Sequence, residues 1–454
     1  MNGIGTVAIR PASWALVLSA MGLLAAPPAM AEATPVAQKP LTLSLSTELA
    51  LAPKARVGAA LGAAGGRDPY AIAVGDFDGD GKPDLAVTNH AGSTVSILLN
   101  DSEAQAAEGR YRLVASFAVG SLPHAVVGGD FNGDGRPDLA TANIGDSSVS
   151  ILLADSATSG EVHFNVLNLP IEGLGPIAIA ATDFNGDGKL DLATANYYGG
   201  TVSILLNDTV RGSMAARFSV VTSLMAGMDS GPYALAIGDF NGDGKPDLAT
   251  ANSYDNSVAI LINDTLRGSR EPRFIRAASP AVGQGPIAIA VGDFNGDHQP
   301  DLVTANHYDD SLSILLNETA PGAAGASFGI AANTIVGLNS GLTAVAVVDF
   351  NGDGKPDLVT ANDGSDSLSI LGNDTVQGAA AVRFSVVASP VVSGNLYALA
   401  IGDFNRDGKP DLAVTSGGNS DGSTVSTLSN DTPARLLLQP RTLQARDDDR
   451  LSKP

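Results

Sequence analysis

A phrase of fourteen residues, DFNGDGKPDLATAN at 239–252, is written seven times with small changes, and this repetition restricts the possible folds more than any other feature of the chain. The phrase begins at Asp76, Asp130, Asp183, Asp239, Asp293, Asp349 and Asp403, at steps of 54, 53, 56, 54, 56 and 54 residues. So narrow a spread means one structural unit copied, with variation confined to loops. For 454 residues the usual prior of two or three domains therefore gives way to a single array.

Each unit reads as four short strands. An Ala/Val/Ile run such as YALAIGD at Tyr233 comes first. The acidic phrase follows, then DLATAN, a turn, SVAILIND at Ser257, and after a variable linker a fourth run such as RFIRAAS at Arg273. Apolar and polar residues alternate with period two, and Gly, Asn and Asp punctuate the runs, which favours half-buried strands over helix. One four-stranded sheet cannot bury both faces alone, so copies must stack. The expected fold is all-β, a seven-bladed β-propeller of four-stranded antiparallel blades, each with an acidic loop between its first two strands. First strands built of small residues, AIAVG, AVVGG and AIAAT among them, suit the crowded centre of a ring. An open solenoid would need polar caps at its ends, and none is evident. Closing the ring needs a strand from one terminus. ARVGAAL at Ala55 aligns with fourth-strand text and is preferred, with ARLLLQP at Ala434 as its competitor.

Counting the first Asp of each phrase as position 1, side-chain oxygens stand at positions 1, 3, 5 and 9. The sets are Asp76, Asp78, Asp80 and Asp84; Asp130, Asn132, Asp134 and Asp138; Asp183, Asn185, Asp187 and Asp191; Asp239, Asn241, Asp243 and Asp247; Asp293, Asn295, Asp297 and Asp301; Asp349, Asn351, Asp353 and Asp357; and Asp403, Asn405, Asp407 and Asp411. This spacing is that of the opening of an EF-hand loop, in which the position-7 carbonyl is a further ligand. Here position 7 is Lys82, Arg136, Lys189, Lys245, Gln299, Lys355 or Lys409, whose carbonyl is enough and whose side chain is free to face water. Gly at position 6 permits the turn. Hard oxygens without Cys or His favour calcium, up to seven ions at one per blade. The EF-hand's Glu at position 12 is missing, so a strand–loop–strand site is expected. The bland alternative is a set of Asx-turns. The loops hold 22 carboxylates against six cations at position 7, a repulsion that seven divalent ions would relieve. Asp76, Asp78, Asp80 and Asp84 make the most acidic loop, His298 replaces Gly at position 6 of the fifth, and Arg406 stands at position 4 of the last.

A net charge of -22 argues against nucleic acid as a partner. Cys is absent, so no disulfide or thiolate site exists. The N-terminus, with Arg10, the apolar run WALVLSAMGLLAA and AMA at 29–31, has the build of a secretory signal peptide cleaved near Ala31. The organisation expected is signal peptide 1–31, linker 32–54, propeller 55–440 and a disordered tail 441–454. No membrane span is expected, and the location is secreted, periplasmic or at the cell surface. The NDT, NDS and NET triplets at Asn100, Asn207, Asn263, Asn317, Asn373 and Asn430 are formal glycosylation sequons, but their fixed place after the third strand points first to turn chemistry.

DFDGDGKPDLAV and its copies resemble the FG-GAP, or VCBS, repeats of the integrin α-subunit propeller and of bacterial exported proteins. The resemblance implies a seven-bladed propeller with calcium in the loop joining the first two strands of a blade. A monomeric ring is expected. It does not fix a function, because the family hosts adhesion modules, lectins and some enzymes. No nucleophile motif or phosphate loop is present. The turn after the second strand, on the face opposite the acidic loops, repeats Asn89, Asn143, Asn196, Asn252, Asn306 and Asn362 and carries His90, Tyr197, Tyr198, Tyr254, His307 and Tyr308 in some copies. These are the candidate ligand-face residues, to be weighed against Asn capping a turn and Tyr packing between blades. The expectation is a calcium-stabilised binding or adhesion module for an extracellular glycan or protein. The alternative is a polysaccharide lyase or hydrolase on the same scaffold, for which an asymmetric cluster of acids, Tyr and His would speak.

Overall fold

The computed structural model describes residues 55–57, 61–62, 66–105, 109–155, 161–225, 230–337, 340–417 and 424–431. The proposed signal peptide, linker and tail lie outside them, as does the ARLLLQP segment.

Seven antiparallel sheets follow one another around a ring: blade 1 (69–118), blade 2 (123–170), blade 3 (176–225), blade 4 (232–278), blade 5 (286–335), blade 6 (342–388) and blade 7 (395–430). Among the described residues helix is limited to two 3-10 turns, His90–Gly92 and Asp363–Ser365. Blade 4 is typical, with strands Pro232–Gly238, Asp247–Asn252, Ser257–Asn263 and Phe274–Ala278 in consecutive pairing. The first strand of each blade touches the first strands of both neighbours, blade 7 returning to blade 1, so these small-residue strands line the axis.

The ring is sealed by the N-terminal segment. Ala55–Val57 pairs antiparallel with Thr424–Asn430, matching Ala55 to Asn430, and Leu61–Gly62 continues along the same strand. The outermost strand of blade 7 thus comes from the other end of the propeller sequence.

The core sits between the blades. Seven apolar clusters are present among the described residues, each drawn from two successive blades. Ile72 and Val74 of blade 1, for instance, pack with Ala400 and Phe404 of blade 7. A blade therefore buries its two faces only through its neighbours, and the ring stands or falls together.

Candidate functional site

The acidic loops share two hydrogen bonds. The position-1 carboxylate accepts the backbone N–H of position 6 in all seven, from Gly81 to Asp76 at 2.9 Å and even from His298 to Asp293 at 2.9 Å. The position-5 carboxylate accepts the N–H of position 7, also in all seven. His298 and Arg406 take the left-handed conformations that Gly holds elsewhere, at φ 69° and 58°, a modest backbone strain in loops 5 and 7. The position-7 cations do not simply face water. Lys82 and Arg136 turn back onto Asp80 and Asp134, each at 2.7 Å, and Lys245 and Lys409 lie 3.8 Å from Asp243 and Asp407.

Position 9 behaves differently from the others. Asp84, Asp138, Asp191, Asp247, Asp301, Asp357 and Asp411 are buried at the start of the second strand. One oxygen of each accepts the N–H of the loop Phe, as from Phe240 to Asp247 at 2.8 Å, and the other accepts an N–H at the end of the third strand, as from Asn263 at 2.7 Å. Burial pushes these carboxyls up, Asp84 to about 8, Asp138, Asp191, Asp247 and Asp301 to about 7, and Asp357 and Asp411 to about 6, against the opposing pull of the two N–H bonds.

Every described loop is also gripped by the next blade around the ring. The Asn of each NDT-type triplet is buried and donates its amide to the carbonyl of the preceding blade's loop Phe: Asn263 to Phe184 at 2.9 Å, Asn317 to Phe240 at 3.0 Å, Asn430 to Phe350 at 2.8 Å. Asn100 closes the circle on Phe404 at 2.9 Å. The same Asn oxygen accepts the N–H two residues on, as from Thr265 at 3.0 Å. These amides are buried and bonded within the protein, which favours turn chemistry over glycosylation. Blade 2 is the exception, with Ala154 in place of the Asn. Linker glycines add a second grip, Gly212 donating to Asn132 O at 2.7 Å and Gly268, Gly322 and Gly378 doing the same for the next loops. The loop Phe supplies a third, meeting edge-on an aromatic ring in the fourth strand of the following blade, as with Phe184 and Phe274 at 5.7 Å. Sequence reasoning passed over this Phe, although its fixed place after the first Asp was the available signal.

The donor set fits a hard cation. In loop 1, Asp76, Asp78 and Asp84 offer oxygens that lie within 4.8 Å of one another. The buried Asp76 Oδ1 and, in loop 6, the buried Asn351 Oδ1 accept no hydrogen bond from the protein. Buried acceptors are rarely left so, and a cation would satisfy both.

The opposite face carries the turns between second and third strands. Their repeated Asn residues are not available to a ligand: Asn89, Asn143, Asn196, Asn252, Asn306 and Asn362 are all buried. Asn143 donates to Ser148 and Ser150 at 2.9 and 2.8 Å, and the other copies bond third-strand Ser or Thr likewise. Tyr198, Tyr254 and Tyr308 are exposed, whereas His90, Tyr197 and His307 are half-buried.

The half-buried residues meet others that sequence reasoning missed. In every blade the first strand is bulged near its start, at its second residue in blades 2 to 6, at the second and third in blade 1 and at the third in blade 7. The bulge includes Tyr70, His124, Ile177, Tyr233, Ile287, Thr343 and Tyr397 in turn. A bulge breaks the alternation and re-aims a side chain, here toward the axis. Tyr70 Oη and Tyr233 Oη, from blades 1 and 4, come within 3.4 Å of each other. Tyr397 stacks on Tyr70 with centroids 4.6 Å apart, and His124 lies 4.1 Å from Tyr70. His90 packs 5.3 Å from Tyr70, and Tyr197 packs 5.5 Å from Tyr233 and 5.0 Å from Tyr254. Burial lowers the His124 imidazole to about 3, helped by the neighbouring His90, and raises the Tyr70 phenol well above its usual range. His90 Nδ1 is buried with no hydrogen-bond partner.

No curated protein sequence matches this chain. Among solved structures it is similar to BBS1N, determined in complex with ARL6DN, at 13% identity and TM-score 0.53, over 81% of this chain and 95% of that one. It is also similar to virginiamycin B lyase from Staphylococcus aureus at 12% identity and TM-score 0.50, over 83% and 99% of the two chains. Identities this low carry the fold alone. The family described as FG-GAP-like repeat matches residues 76–141, 183–250, 239–304, 300–360 and 349–414, more than half of the chain. Each of these segments contains at least one whole acidic loop with the hydrogen bonds described above, and together with the seven blades they establish that the chain belongs to the FG-GAP-like repeat family.

Proposed function

We propose that the chain is a secreted, calcium-clamped binding module whose ligand, an extracellular glycan or protein, is taken on the turn face. The observation that carries this reading is the convergence of aromatic side chains from blades 1, 2, 3, 4 and 7 at one end of the axis. Tyr offers an apolar ring and a polar tip, which suits both sugars and peptides. In the acidic loops, positions 1, 3, 5 and 9 would hold calcium, with the position-7 carbonyl beside them. The ion would replace repulsion among carboxylates with ligation, at a point that the following blade already grips. Its role is structural. BBS1N, a propeller similar in fold, was solved with a protein partner, which fits a binding role for this scaffold.

A second reading, a polysaccharide lyase or hydrolase, is favoured by the asymmetry of the Tyr and His cluster. Its protonation counts against it. A general base works best with a pKa near the working pH, and burial moves His124 far below and Tyr70 far above that range.

The test is a binding screen against glycans and extracellular proteins, run in calcium and again in excess chelator. Saturable binding in calcium that fails in chelator is expected. Turnover of a polysaccharide without any stable complex would replace this reading with the second one.

A further inference from the structure

We propose that Tyr198, Tyr254 and Tyr308 form a row of subsites for a linear polysaccharide bearing free amines; this rests on the binding-module reading and names its ligand class. The three tyrosines occupy one register in blades 3, 4 and 5, two residues after the buried Asn. Each ring lies against a linker glycine, Gly175, Gly231 or Gly285, at φ +67°, +56° and +61°. A Cβ on any of the three would come within 2.3–2.5 Å of the ring, so only glycine lets the ring lie there. The three residues are nevertheless 66%, 59% and 75% exposed. Three large aromatic residues left open to water at one register of adjacent blades form the kind of surface that marks binding sites.

Repetition selects the shape of the ligand. Three equivalent platforms in adjacent blades suit a chain of equivalent units better than the irregular surface of a folded protein. The row has ends, since blades 1, 2 and 6 carry Ala91, Gly145 and Gly364 at this position. It also runs across the face and not down the axis, because Tyr70 and Tyr233 meet there. Tyr197, packed 5.3 Å from Tyr198 and 5.0 Å from Tyr254, bridges two platforms.

Charge selects the chemistry. Asp255 and Asp309 directly follow two of the tyrosines and are exposed, with Asp146, Glu172 and Asp310 on the same connecting segments. Asp255 is held by the Ser257 hydroxyl at 2.7 Å, and Asp309 by Ser311 and by the Gln284 N–H at 2.8 Å. Among the described residues of these turns and linkers Arg67 is the one Lys or Arg, joined by Arg276, which reaches from the fourth strand of blade 4 to the Ser279 hydroxyl in the following linker. Uronic-acid and sulfated polymers are repelled by such a face. An ammonium group on a sugar ring is attracted both by the carboxylates and by the tyrosine faces.

The experiment is calorimetric titration of the whole calcium-loaded protein with four hexamers: glucosamine with free amines, its N-acetylated counterpart, galacturonate and lysine. The glucosamine hexamer is expected to bind, more weakly as salt is raised. Tyr254→Ala should weaken it about two- to fivefold and the double change Tyr254→Ala, Tyr308→Ala about tenfold, the range for cations on exposed rings. Asp255→Asn should weaken binding and flatten the salt dependence while leaving the melting temperature unchanged. Equal binding of the N-acetylated hexamer would overturn the amine and leave the binding-module reading standing. Equal binding of hexalysine would overturn the sugar. Binding of the glucosamine hexamer that is indifferent to the tyrosine changes would overturn the site, and absence of binding to every hexamer would overturn the ligand class.

Discussion

Asn263 makes three hydrogen bonds with its side chain, to Phe184 O in the preceding blade, to Pro246 O in its own, and from the Thr265 N–H. Asn263→Ala removes all three and leaves two buried carbonyls short of a donor. A loss of about 2–3 kcal/mol is expected in denaturant unfolding. The converse change is available at Ala154, which stands where the other blades have Asn. Ala154→Asn should restore the missing tie between blades 2 and 1, raise stability by about 1 kcal/mol and increase the melting temperature; a lower one would show that blade 2 cannot take the shared geometry. The triplet was legible in sequence as turn chemistry, because its place after the third strand is fixed. Its reach into another blade was not, since that depends on how the ring sets one blade against the next. Tyr70, His124, Tyr233 and Tyr397 escaped notice for a related reason: period-two reading assigns each strand residue to a face, and the bulge that sends these to the axis leaves no mark in composition.

In the acidic loop, the element that joins first and second strands, the spacing of oxygens could be read directly, whereas the folding back of Lys82 and Arg136 could not. The buried position-9 carboxyls give the loop a pH dependence of definite sign. Their folded values, from about 6 to about 8, lie above the ordinary carboxyl value near 3.8. The folded protein therefore binds more protons than the unfolded chain between about pH 4 and pH 8, and stability falls as pH rises through that window. In chelator, the melting temperature should be higher at pH 5 than at pH 8. Calcium needs the ionised carboxylates, so in excess calcium this trend should vanish or reverse. Identical profiles in chelator and in calcium would mean that the loops do not take up the ion.

For the whole ring, saturating calcium should raise the melting temperature, each ion at ten times its dissociation constant adding about 1.4 kcal/mol. Seven equal phrases made the seven-bladed architecture legible at once, because only a closed array disposes of so many half-buried sheets. The closing strand was harder to read, for Ala55–Val57 is three residues long and matches the fourth-strand text loosely. Deleting residues 1–62 should bare the edge of Thr424–Asn430. A lower melting temperature and self-association on gel filtration are expected, and a monomer of unchanged stability would show that the seam is not closed this way.

That seam also sets an order of events as the chain is made. Ala55 has its partner in Asn430, so the first strand to emerge must wait for nearly the whole propeller to be synthesised before it can dock. Loops 2 to 6 wait in a smaller way, since the Asn that grips each of them belongs to the next blade. Assembly accordingly runs forward by one blade at a time, each newcomer finishing the one before it, and ends only when the end of the array meets its beginning.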